Sequence, residues 1–99
     1  MQSFYPEQFQ RDMGCTESDW LGWLPRAMGD VPWRVNDASL HANVGSGELH
    51  VDWQVDEPRR LGLAVIPRLK VRFAFKGVPD GERLAFMKRF DLYTHRGGG

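Results

Sequence analysis

The chain has 99 residues, of which 41% are hydrophobic and 26% charged, and its formal net charge is zero. Zero net charge argues against a dedicated nucleic-acid binder, and a single cysteine excludes an internal disulfide and any multi-cysteine metal site. No run approaches the roughly 18 apolar residues of a membrane span, and residues 1–10 lack a basic start and an apolar stretch, so a cytoplasmic location with no membrane partner is expected. One domain over residues 1–95 is expected, with a flexible glycine-rich tail over 96–99, because three consecutive glycines offer nothing to bury.

The first thirty residues read as two helices. Pro6 suits a first helical turn, Phe9 and Met13 lie four apart, and Gly14 suits a helix stop. Thr16-Glu17-Ser18-Asp19 then resembles a capping box with Asp19 in the place of glutamate, and Trp20, Trp23, Leu24 and Ala27 follow at helical spacing. Pro25 kinks or tightens this second helix, and Gly29 ends it. Cys15, between the two, is expected to be buried and inert.

From residue 31 the period changes to two. Val31, Trp33 and Val35 suggest a short edge strand. Leu40, Ala42 and Val44 alternate, Gly45-Ser46-Gly47 breaks the pattern, and Leu49, Val51, Trp53 and Val55 alternate again, which predicts a hairpin with one buried face. Same-face pairing sets Leu40, Ala42 and Val44 opposite Trp53, Val51 and Leu49, with the turn at Ser46-Gly47 or a four-residue loop from Gly45. That register brings His41 opposite Asp52 and Asn43 opposite His50.

The longest pattern is Leu61, Leu63, Val65, Leu69, Val71, Phe73 and Phe75. As one strand, residues 60–76 would run roughly 55 Å, too long for a domain about 30 Å across. A break at Pro67 is therefore expected, giving strands 60–66 and 68–76 as a hairpin or one bent ribbon. After Gly77-Val78-Pro79-Asp80-Gly81, the residues Phe86, Phe90 and Tyr93 predict a C-terminal helix capped at Asp80. The expected fold is α+β: two N-terminal helices, an antiparallel β-meander of three to five strands, and a C-terminal helix. The helices cover one apolar face through Trp20, Trp23, Trp53, Val71, Phe73, Phe86 and Phe90, and the other face is polar.

Charge is unevenly distributed. Residues 1–56 carry three basic and nine acidic residues, whereas residues 57–99 carry ten basic and four acidic. Lys70, Arg72 and Lys76 alternate along one strand, Arg60 and Arg68 lie near its turns, and Arg96 precedes the terminal glycines. These six are the candidate partner-binding residues. His41, His50 and Asp52 on the polar hairpin face are the only candidate metal ligands, weak because a flat face encloses nothing. No Gly-x-Ser-x-Gly elbow, phosphate loop or dinucleotide fingerprint occurs, so no catalytic residue and no cofactor is assigned.

Two resemblances bear on function. The α-β-β-β-α order loosely resembles a double-stranded-RNA-binding domain, which would imply nucleic acid as partner. Those domains carry a lysine-rich start to their second helix, where this chain has Gly81-Glu82-Arg83-Leu84-Ala85-Phe86. The ending His95-Arg96-Gly97-Gly98-Gly99 is similar to that of ubiquitin and the small sulfur carriers, which would imply a carrier acting through the carboxylate of Gly99. The expectation taken forward is a non-catalytic interaction protein that binds a protein partner or itself through the charged sheet face. A nucleic-acid-binding module and a C-terminal glycine carrier are the alternatives.

Overall fold

The structure, a computed structural model, describes residues 4–94. The element order is β1 (Gln8–Met13), α1 (Glu17–Met28), β2 (Trp33–Asn36), β3 (Ser39–Val44), β4 (Gly47–Leu61), β5 (Ala64–Lys76) and α2 (Asp80–Thr94). The five strands form one antiparallel sheet in the order β1-β5-β4-β3-β2. The fold is α+β as expected, but among the described residues only one helix lies near the N-terminus.

The first expected helix is the strand β1, an edge strand paired with β5 from Gln8↔Ala74 to Met13↔Leu69. A spacing of four satisfies both periods, since i and i+4 share a face in a strand as well as in a helix. Arg11 decides between them. In a strand it joins Phe9 and Met13 on the inner face, where its guanidinium lies 5.3 Å from the Phe73 ring centroid and 2.7 Å from Asp91 Oδ1. Phe9 stacks on Phe73 at 4.7 Å. These long-range contacts override the local pattern.

The helix α1 starts as read. Thr16 Oγ1 accepts from the Asp19 amide at 3.0 Å, and Gly29 closes the helix with φ 65°. Both helices lie on the odd-numbered face of β4 and β5. Trp20 meets Trp53 at 5.5 Å and Phe90 at 5.7 Å, while Phe73 meets Phe90 edge-on at 5.5 Å. Trp20, Leu24, Leu49, Val51, Leu69, Val71, Phe73, Met87 and Phe90 are buried in one cluster, and Trp23 packs at its margin.

Two strand readings are corrected. In the β3–β4 hairpin, Leu40 faces Val51, Ala42 faces Leu49 and Val44 faces Gly47, two residues away from the expected register. The turn is Gly45-Ser46. A slip of two keeps every side chain on its face, so alternation alone cannot see it. The glycines settle it. Gly45 has φ 56°, suited to the first position of a two-residue turn, whereas a Cβ on Gly47 would strike the Lys76 and Gly77 backbone.

The β4–β5 break falls at Gly62-Leu63, with Gly62 at φ 60°, and not at Pro67. Pro67 lies inside β5, opposite an irregularity between Asp56 and Arg59. There β4 has two residues, Glu57 and Pro58, against one on β5, so a bulge absorbs both prolines. The excess length is taken up by projection: β4 and β5 run on as a two-stranded arm past the last rungs of β1 and β3, Met13↔Leu69 and Ser39↔Asp52.

Candidate functional site

The face that the helices leave open is built from alternate residues of each strand. Along β5 it presents Arg68, Lys70, Arg72, Ala74 and Lys76. Along β4 it presents Glu48, His50, Asp52, Gln54 and Asp56. The register sets Glu48 opposite Lys76, Asp52 opposite Arg72 and Asp56 opposite Arg68. On the other side of β5, Asp12 of β1 faces Lys70. A basic strand is thus flanked by carboxylates on both sides, and the uneven charge of the sequence closes on itself within one sheet.

Contacts follow that register. Arg72 reaches Asp52 Oδ1 through Nε at 2.8 Å and Nη2 at 2.7 Å. Arg68 Nη2 lies between Asp12 Oδ2 at 3.2 Å and Asp56 Oδ2 at 3.4 Å. Such half-exposed pairs each contribute up to about 1 kcal/mol. At the far end His41 Nε2 meets Glu48 Oε1 at 2.6 Å. That hydrogen bond, then the nearby imidazole charge and Lys76, holds the Glu48 carboxyl below its ordinary range.

Of the expected partner-binding residues, Arg68, Lys70, Arg72 and Lys76 share this face. Arg60 does not. The bulge inverts the alternation of β4 beyond Asp56, so Arg60 pairs with Val65 and lies on the opposite side of the arm. Arg96 and Gly99 lie outside the described residues. The weak metal candidates also separate: His41 faces His50 and not Asp52, Asn43 faces Glu48, and Asp52 is held by Arg72. Among the described residues no group of three or more histidine, cysteine, aspartate or glutamate side chains is placed to hold a metal ion.

Sequence reasoning missed two polar clusters under the sheet. Tyr5 donates to Asp91, which also takes Arg11, and burial raises the Tyr5 phenol, with the Asp91 hydrogen bond adding to it. Arg83 is buried, donating to the carbonyls of Tyr5 at 2.9 Å and Val78 at 2.6 Å and to Asp80. The available signal was a charged residue inside an apolar row: Arg11 between Phe9 and Met13. These clusters tie β1 and the chain before it to α2. Cys15 is buried, and burial, with the Asp19 charge adding, pushes its thiol up to about 11. It is not an activated nucleophile.

The open face therefore offers electrostatic recognition: a row of cations on β5 beside a row of carboxylates on β4. Compared with protein-family models, curated proteins and solved structures, the chain matches none.

Proposed function

We propose that the protein is a non-catalytic interaction domain whose open sheet face binds a second copy of the chain. One observation carries the reading: three acid–base rungs, Glu48–Lys76, Asp52–Arg72 and Asp56–Arg68, stand in order across β4 and β5. Place a two-fold axis parallel to the strands, above the line between β4 and β5. It lays β4 of one copy over β5 of the other at equal heights, so each carboxylate faces a cation of the partner copy. A two-fold axis across the strands lays β4 over β4 and sets acids against acids. The charge pattern thus favours one isologous arrangement and opposes another.

The same chemistry limits the affinity. The rungs are already paired within one sheet, and drawing them out of water offsets much of what the second partner contributes. Association is therefore weak and salt-sensitive. Sizing or sedimentation at low and high salt tests it. Asp52→Arg or Arg72→Asp alone should weaken the dimer, and the combined swap should restore it. A chain that stays monomeric at low salt and high concentration overturns the proposal.

The nucleic-acid alternative draws on Lys70, Arg72 and Lys76, but Asp12, Glu48 and Asp52 flank that strand and repel phosphate. A low-salt mobility shift lost on charge reversal at the three cations would favour it over self-association.

A further inference from the structure

The β4–β5 arm presents the largest exposed apolar side chains of the sheet. Leu63 at its tip is 104% exposed, Leu61 57%, Val65 54% and Val55, at its base, 64%. The register places Leu61 with Ala64 and Ile66 on the open-face side, and Val65 with Arg60 on the helix side. Apolar groups therefore surround the arm on both faces and at its end. A flat partner surface would cover one of these only. Such exposure at a protruding tip marks a contact site rather than scattered surface leucines.

The edges of the arm do not invite strand addition. Trp53 donates its amide to Ala38 and Phe75 donates to Glu7, so odd residues of both strands point outward before the bulge. Carried along the register, Pro67 points outward on β5, and Pro58, two before outward-facing Arg60, does so on β4. Each free edge thus carries a proline where a pairing strand would need an N–H.

Charge completes the picture. Arg59 and Arg60 stand on opposite faces of the arm, and residues 58–67 contain no carboxylate. From the Leu63 turn back to the Arg60↔Val65 rung is about two strand steps, roughly 7 Å. Interfacial segments bury their apolar side about 5–10 Å into the headgroup boundary.

We propose that the β4–β5 arm is an anchor for an anionic bilayer surface: Leu61, Leu63 and Val65 enter the acyl boundary while Arg59 and Arg60 meet the lipid phosphates. A surrounding fluid medium touches both faces and the tip together, and two cations with no opposing carboxylate match an anionic leaflet. This departs from the expectation of no membrane partner, which rested on the lack of a spanning segment. It stands independently of the sheet-face dimer.

The test is co-sedimentation of the full chain with vesicles of phosphatidylcholine alone or mixed with phosphatidylserine. Binding is expected only with phosphatidylserine. Leu63→Ser should weaken it about tenfold, the equivalent of about 1.4 kcal/mol. Arg59→Glu with Arg60→Glu should abolish the lipid preference, and Arg34→Glu on β2 should change nothing. Because Cys15 is buried, Leu63→Cys offers one reactive thiol for an environment-sensitive dye, whose emission should shift to the blue on the mixed vesicles. Wild-type protein left in the supernatant overturns the proposal, as does binding indifferent to Leu63→Ser. Two other results also overturn it, each without vesicle binding: duplex DNA binding that Leu63→Ser weakens assigns the arm to nucleic acid, and a dimer that Leu63→Ser dissolves assigns it to a second copy.

Discussion

The strands β4 and β5 are each two different objects. Between Leu49↔Phe75 and Trp53↔Val71 their odd residues are buried, and Phe73 is 2% exposed. Beyond the bulge the same two strands carry Leu61, Leu63 and Val65 in water. The sequence alternates through both regions with the same kinds of residue. What differs is cover: Trp20, Phe86 and Phe90 are buried against the body, whereas the apolar side chains of the arm stay exposed. Alternation records which side chains share a face, and only the neighbouring elements decide whether that face is dry.

The sharpest way to break this contrast is to truncate one residue from each region. Phe73→Ala should cost about 3–5 kcal/mol of unfolding free energy, because it removes a ring stacked by Phe9 and crossed by Phe90. Leu63→Ala should stay within about 0.5 kcal/mol, since that side chain is fully exposed in the folded chain. Urea unfolding of both variants measures the pair. Equal losses would mean that the arm is packed in solution.

Cys15 sits at the border between the regions, next to Gly14, whose added Cβ would lie 3.8 Å from Ile66 of the arm. Its folded thiol holds its proton up to about 11, against an ordinary value of 9.0. Between those values the unfolded chain binds fewer protons than the folded one, so stability falls as pH rises. The contribution is intact below pH 9, drains from about 9 to about 11, and amounts to about 2–3 kcal/mol. The raised Tyr5 phenol acts in the same direction, from its ordinary value of 10.0 upward. Urea midpoints across this window should fall less steeply in Cys15→Ala than in the wild type. In native protein at pH 8, Leu63→Cys should react with a thiol reagent far faster than Cys15, which sharpens the contrast between covered and open positions.

The parts of the fold that were legible in the sequence are those where one local rule acts without competition. The Thr16–Asp19 capping box, the edge strand at Trp33 and the helix after Asp80 needed only their own residues. The first strand was not legible, because Phe9 and Met13 at a spacing of four fit both periods and the deciding contacts, with Phe73 and Asp91, are some sixty and eighty residues away. The hairpin register slipped by two because faces are preserved under that slip, and only the positive φ of Gly45 and the Gly47 approach to the Lys76–Gly77 backbone distinguish the options. Of the candidate face, the basic row on β5 was readable from alternation. Its flanking by Asp12 was not, because that depends on β1 being a strand. Arg60 was readable only as lying near a turn; that it stands on the opposite side from Lys70 and Arg72 depends on a bulge, which leaves no mark in the alternation of the partner strand.

The two glycine turns extend the contrast to the backbone. In the body, Gly47 is required for space: any Cβ there meets main chain, which cannot rotate away. In the arm, Gly62 is required for conformation only. Its φ is 60°, yet an added Cβ would meet nothing within 4 Å. Gly62→Ala should therefore cost about 1–2 kcal/mol, the strain of a left-handed backbone in a residue with a Cβ. Gly62→Asn should recover part of that, because asparagine, like glycine, is favoured at the positive-φ positions of hairpin turns. Gly47→Ala should cost more, and Gly47→Asn should recover nothing, since its problem is contact and not φ. Unfolding midpoints of the four variants measure the distinction. Asparagine rescue at Gly62 alone would show the arm turn to be free of packing, as the exposed leucines beside it require.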